Sequence, residues 1–110
     1  MRRRRQSGLP QIQEMVERIV VRYHPDRVIL FGSHARGDGT PESDVDLLVV
    51  MPFAGSHRHK QCEMRLALHD FKVPKDVIVT RPEDFAWRQE VVGTIEYPAA
   101  HEGKVLYAKA

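Results

Sequence analysis

The sequence predicts an α/β (α+β) fold, a small mixed β-sheet flanked by helices, in one domain covering residues 10–110. Three observations predict it. Apolar side chains recur at helical spacing between residues 12 and 23. Two β-branched apolar runs, Arg27–Phe31 and residues 44–51, are each cut off by a glycine or a proline. A third such run, Lys75–Thr80, follows a further helical stretch and so completes a strand–helix–strand unit.

The chain opens with Arg2, Arg3, Arg4 and Arg5, and mutual repulsion predicts a disordered basic tail over residues 1–9. Pro10 suits a first helical turn, and Ile12, Met15, Val16, Ile19, Val20 and Tyr23 then line one face of an amphipathic helix that closes near Pro25. Arg27–Phe31 reads as a buried strand stopped by Gly32. After it, "SHAR" reads as the opening turn of a short helix, and "GDGTPES" over residues 37–43 as a turn-rich loop.

Residues 44–51 are apolar on both faces beyond their first positions, which marks a central strand covered on both sides. Residues 57–71 carry Met64, Ala67, Leu68 and Phe71 along one helical stripe and lead into the strand Lys75–Thr80. A helical crossover favours parallel neighbours, so the second and third strands are expected to run together. The loop joining the first and second strands is too short for such a crossover, which makes that pair antiparallel. Residues 82–91 and 94–101 read as helical, with Gly103 closing the second piece, while "KVLYA" fits either a terminal strand or a packed tail.

Composition narrows the classes of function. A chain of 110 residues suits one domain with a single core. Its formal charge of +2 is too small to imply nucleic-acid binding, and a direct nucleic-acid contact stays open only for the arginine tail. The lone Cys62 excludes an internal disulfide. No apolar run is long enough for a signal peptide or a membrane span, so a cytoplasmic protein is expected.

The chemistry concentrates in "ILFGSHARGDGTPESDVDLLVV". Side chains two apart on a strand point the same way, so Asp44 and Asp46 share one face while Val45 faces the other. Like charges so placed repel, and a cation relieves them. If the second and third strands start together, Asp76 falls at the same rim, and the three carboxylates suit Mg²⁺, a hard ion that binds carboxylates together with substrate phosphates. Two ions fit such a cluster.

Phosphates need donors as well. Gly32 permits close approach to a ligand, Ser33 offers a hydroxyl and an N–H, and Arg36 offers a planar cation. The stretch lacks the Gly-Lys-Ser/Thr ending of a P-loop. His57, His59 and Cys62 have a spacing that matches no common structural zinc site and read as part of a polar loop and helix start. His34 lies inside the phosphate motif and fits either an exposed position or a ligand contact, and Phe85 and Trp87 read as core or interface anchors.

"GS", ten intervening residues, "DVD" and then "DVIV" one helix later resemble the nucleotidyltransferase superfamily that includes DNA polymerase beta. The resemblance is closest to the minimal nucleotidyltransferases, the MNT or MntA-like antitoxins of HEPN-MNT toxin–antitoxin modules. It extends from Ile12 to Tyr107 and includes "FGSHARG", "SDVDLLVV", "DVIVTRPEDF" and "EGKVLYA". The resemblance implies the nucleotidyltransferase fold, with Asp44 and Asp46 holding Mg²⁺, Asp76 completing the site and helping to deprotonate the acceptor hydroxyl, and Gly32 and Ser33 binding the triphosphate.

It further implies ATP as nucleotide donor and a HEPN-type ribonuclease toxin, encoded nearby, as the partner that receives AMP on a tyrosine. Larger members of the superfamily add a helical domain that helps seat the acceptor, so a minimal member is expected to present its site to another protein. Two other readings keep the fold: a binding antitoxin that does no chemistry, and a transferase acting on a small molecule or an RNA end.

Overall fold

The computed structural model describes residues 9–110, so the arginine tail lies outside the described residues. The chain forms α1 (Leu9–Tyr23), β1 (Arg27–Phe31), α2 (Ser33–Arg36), β2 (Val45–Val50), α3 (His57–Ala67), β3 (Lys75–Thr80), α4 (Pro82–Arg88), α5 (Glu96–Glu102) and β4 (Lys104–Ala108). The strands make one sheet in the order β3-β2-β1-β4. As expected, β2 is parallel to β3 and antiparallel to β1. The segment "KVLYA", open between two readings, is a strand: β4 pairs antiparallel with β1 across a bulge at Val28/Ile29.

Alternation along the strands divides the core into two layers. On one face Val28, Leu30, Val45, Leu47, Val49, Val77 and Val79 pack with Met15 and Ile19 of α1 and Met64 of α3. On the other face a smaller cluster of Ile29, Leu48 and Val50 meets Phe85 of α4 and Ala99 of α5. At Gly103 an added Cβ would lie 2.8 Å from both Ile29 Cγ2 and the Leu30 carbonyl oxygen, so only glycine lets the end of α5 press this closely on β1.

Helix ends depart from the sequence expectation where polar side chains intercept the backbone. The helical stretch expected over residues 82–91 stops at Arg88. There the Thr94 hydroxyl sits 2.8 Å from both the Arg88 and the Val91 carbonyl oxygens and accepts from the Tyr97 N–H at 3.2 Å, ending one helix and opening the next. α3 ends at Ala67, ahead of Phe71, whose ring packs against the first core layer from the following turn.

β3 is an edge strand, and α3 seals it. The Gln61 amide donates to the Val77 carbonyl oxygen, and its own oxygen accepts from the Val79 N–H at 2.9 Å, taking the place of a neighbouring strand. His57 Nε2 lies 2.6 Å from the Val79 carbonyl oxygen and acts as a second donor to the same edge. His57 thus stands at the helix start, where the sequence placed it, and ties α3 to β3.

Candidate active site

The site is assembled by the change of strand direction. β1 ends at Phe31, opposite Asp46, and β2 and β3 begin at that same rim, with Asp46 in register beside Asp76. The Val45 N–H donates to the Pro74 carbonyl oxygen at 2.9 Å, which ties the two strand starts together. Register partners on adjacent strands project to the same face, so Asp46 and Asp76 stand side by side above the smaller core cluster. Asp44 precedes β2 by one residue and is exposed.

Gly32 supplies the opposite wall. Its φ of 77° and ψ of −158° are backbone angles that side chains disfavour, and a Cβ there would overlap Asp46 Oδ2 and come within 3.2 Å of its Cγ. The missing side chain is what admits the Asp46 carboxylate. Immediately after it, the Gly32 carbonyl accepts from the Ala35 and Arg36 N–H groups at 3.1 Å, starting α2 with Ser33 at its open end. Gly37, with φ 91°, closes the turn through its N–H to the Ser33 carbonyl at 3.0 Å.

The Asp46 carboxylate feels both of its acidic neighbours. Partial burial is the main cause that pushes Asp46 above the ordinary carboxylate range, with further upward pushes from Asp76 and then Asp44. His34 and Arg36 pull in the opposite direction. The exposed Arg36 has its Nε 3.6 Å from Asp38 Oδ2, a loose pair that leaves the guanidinium available to an anion. Lys75 is turned away from the rim, its Nζ donating to the Phe71 carbonyl oxygen at 2.7 Å.

His34 is joined to the loop that carries Asp44. Its Nε2 lies 3.1 Å from the Ser43 carbonyl oxygen, and Gly39 packs so tightly on the ring that an added Cβ would sit 3.0 Å from Nδ1. The loop is pinned again where Ser43 Oγ accepts from the Thr40 N–H at 3.0 Å and the Ser43 N–H donates to the Thr40 carbonyl. The peptide just before Asp44 is thus held from two sides.

The donor set is all oxygen, negatively charged and self-repelling, which fits a divalent hard cation. Among the described residues no three acidic, histidine or cysteine side chains are already closed around a point that would hold a metal. Asp46 is fixed against Gly32, whereas the exposed Asp44 is able to turn toward it. Together the rim offers two functions: carboxylates for a cation, and a helix start with a serine and an arginine for phosphate.

Residues 12–99 match the family model of the nucleotidyltransferase domain. The chain belongs to this family. It is similar to two proteins of Methanocaldococcus jannaschii, "Putative protein adenylyltransferase MJ0604" and "Putative protein adenylyltransferase MJ0141". The first is 32% identical over 87% of this chain and 94% of that protein. The second is 40% identical over 50% of this chain, and the matched segment spans 54%, about half, of that relative.

Two crystal structures share the fold. One, described as "a putative nucleotidyltransferase from Sulfolobus solfataricus", has a TM-score of 0.66 at 20% identity, covering 92% of this chain and 80% of that one. The other is a toxin–antitoxin with AMP-PNP, with a TM-score of 0.55 at 18% identity, covering 88% of this chain and 73% of that one.

In this nucleotidyltransferase domain the residues singled out from sequence, Gly32, Ser33, Arg36, Asp44, Asp46 and Asp76, all fall at one rim. Sequence reasoning missed the hydrogen bond of His34, since its residue type announces no partner. It also missed Glu96, a buried carboxylate that accepts from the Thr80 hydroxyl at 2.8 Å and from Arg88 Nε at 3.1 Å. That cluster clamps the end of β3 to α4 and α5, and a charged residue in a short helix carries no sequence signal of burial. Among the described residues no helix is long and apolar enough to cross a membrane.

Proposed function

We propose that this chain is an Mg²⁺-dependent protein adenylyltransferase, the antitoxin of a HEPN-MNT module, and that it moves AMP from ATP to a tyrosine hydroxyl of the partner HEPN ribonuclease toxin. The observation that carries the reading is Asp46 in register beside Asp76, facing Gly32 at the start of α2. The relatives named as protein adenylyltransferases and the toxin–antitoxin neighbour with AMP-PNP support the substrate and partner classes.

Asp44, Asp46 and Asp76 would hold the cation, and Gly32 and Ser33 the triphosphate, with Arg36 offsetting its charge. When bound, Mg²⁺ supplies charge stabilisation at the attacking and leaving oxygens. The tyrosine oxygen forms a bond to the α-phosphorus as the bond from that phosphorus to the bridging oxygen breaks. Pyrophosphate leaves with the electron pair, and Asp76 helps to take the phenolic proton. The product is a tyrosine phosphodiester whose bulk and negative charge disfavour RNA beside it.

The test is incubation with Mg²⁺, each labelled nucleoside triphosphate in turn, and the product of the adjacent gene. Label on that product from ATP, lost in Asp44→Ala and Asp46→Ala, is expected. Protection from the toxin that survives both substitutions would establish a binding antitoxin instead, and label on a small molecule or an RNA end would move the acceptor class.

A further inference from the structure

Beside the acidic rim lies a cavity of about 560 Å³ whose walls include none of the three site aspartates. Its floor is the outer edge of β3 from Ile78 to Thr80 with the following Arg81, α3 forming one wall and α4 and α5 the other. Ile78 is two strand residues beyond Asp76 on the same face, so the nearest β3 residue of the groove lies about 7 Å along the strand from Asp76. His57 reaches Val79 and Gln61 reaches Val77, so α3 runs back along β3 toward its start. Arg65, one turn past Gln61 and exposed, is therefore at the end of the groove nearest Asp76.

The charges in the groove are unequally matched. Glu96 is buried and taken up by Thr80 and Arg88. Arg81 donates to the Phe53 carbonyl oxygen at 3.2 Å and to the Gly55 carbonyl oxygen at 2.7 Å, with its guanidinium 4.0 Å above the Phe53 ring. All three contacts are neutral, so they orient the cation without cancelling it. Among the described residues no carboxylate pairs with Arg65 or Arg81. Asp84 is left as the one lining carboxylate outside the Glu96 clamp.

An apolar margin continues the groove. Ile95 lines it and is 41% exposed, and Arg88, also lining it, sits 5.6 Å from the ring of Trp87, which is 56% exposed. Val91 and Val92, on the segment leading to Ile95, are exposed as well. An uncovered tryptophan beside arginines is the composition of a protein-interface anchor.

We propose that this groove docks the acceptor protein through a segment carrying acidic residues and an apolar anchor, and so delivers its hydroxyl toward Asp76. The proposal rests on the protein-adenylyltransferase reading for the hydroxyl, while the docking itself follows from Arg65, Arg81 and the Trp87 margin. Acidic side chains meet Arg65 and Arg81, and the apolar anchor covers Trp87 and Ile95. The gap between Ile78 and Asp76 is short enough for one extended segment to span both.

Binding is measured by fluorescence anisotropy on the full chain, without nucleotide. Three labelled probes are compared: a twelve-residue peptide with one tyrosine among glutamates and leucines, the same peptide with lysine for glutamate, and an oligoribonucleotide of twelve residues. The acidic peptide is expected to bind at least tenfold more tightly than the lysine peptide. Arg65→Glu is expected to weaken it about tenfold, and Trp87→Ala several-fold, with AMP-PNP affinity as the check that each variant is folded.

Equal or tighter binding of the lysine peptide overturns the proposal, as does preferential capture of the oligoribonucleotide. So does an acidic peptide that fails to bind at millimolar concentration, or one whose affinity ignores both substitutions. Peptide binding as expected, with no AMP transferred from labelled ATP to the adjacent gene product in the separate transfer assay, leaves the groove in place and sinks the transferase reading alone.

Discussion

Gly32→Ala is the substitution that separates what the rim needs for folding from what it needs for chemistry. The new methyl group would sit at φ 77° and ψ −158°, a combination open in practice to glycine alone, and would overlap Asp46 Oδ2. Backbone strain of this kind costs about 1–3 kcal/mol. For a domain of roughly this size each kcal/mol lowers Tm by about 4–8 °C, so a drop of roughly 5–20 °C is expected. The overlap adds little to that figure, because a carboxylate is able to rotate away.

Rotation has a different consequence: it swings the Asp46 carboxylate away from its place beside Asp76, and displacement of a reacting group by about 1 Å is enough to cost ~100-fold in rate. Two assays divide the effects. Thermal unfolding is compared for Gly32→Ala alone and in an Asp46→Ala background, where the overlap is gone and the strain persists. Cation binding is followed by Mn²⁺ paramagnetic resonance with AMP-PNP present. The loss of Tm should be similar in both backgrounds, and Mn²⁺ uptake should fall steeply in Gly32→Ala. A single variant that melts within a degree of the parent and takes up Mn²⁺ equally well would refute the reasoning.

Asp46→Asn should stabilise the metal-free chain. Because the folded-state value of Asp46 is raised, the folded state holds a proton longer than the unfolded one. Stability therefore falls as pH rises from the ordinary value of 3.8 through the raised one, and the full penalty is present above that window. The variant should gain in Tm at neutral pH and gain nothing well below pH 3.8. An equal gain at both pH values would contradict the sign. His34→Ala should lower Mn²⁺ affinity in the presence of AMP-PNP about 3–10-fold by freeing the Ser43 carbonyl next to Asp44, and His34→Gln, which keeps a donor, should recover most of it. Equal losses in the two variants would deny the positioning role. Gln61→Leu strips the Val77 and Val79 backbone groups of their partners and should cost about 1–3 kcal/mol, seen as a lower Tm and concentration-dependent association on size exclusion. An unchanged melt would mean that the edge of β3 needs no seal.

What was legible in the sequence is what depends on neighbours along the chain. The bounds of β1 and β3 follow from β-branched runs ending at glycine and at a proline, and α2 follows from four residues between two glycines. The register of Asp46 beside Asp76, with Asp44 one residue before β2 at the same rim, was legible because strand alternation and the parallel crossover leave one consistent outcome. β4 was not legible: it is short and exposed along nearly its whole length, and its strand character comes from pairing with β1 far away in sequence. The stop of α4 depends on a hydroxyl six residues on, and the sealing of β3 on one amide of α3. Those bonds exist only once the tertiary structure has brought the partners together.

The mixed sheet explains why a fold this small tolerates three carboxylates at one end. Had β1 run parallel to β2, its end and α2 would have lain at the opposite rim from Asp46, and the phosphate donors could not face the acids. The antiparallel step brings them together but leaves the second face thinly covered, since α4 and α5 meet the sheet around Ile29, Leu48 and Val50 and not above Asp46. The first face compensates with the larger and continuous cluster built by α1 and α3. Helix coverage extended over Asp46 and Asp76 would deepen the burial of groups already in mutual repulsion and close the approach of a nucleotide. The open rim is therefore a condition of the site, and under the docking proposal the groove beside it is where the acceptor protein meets it.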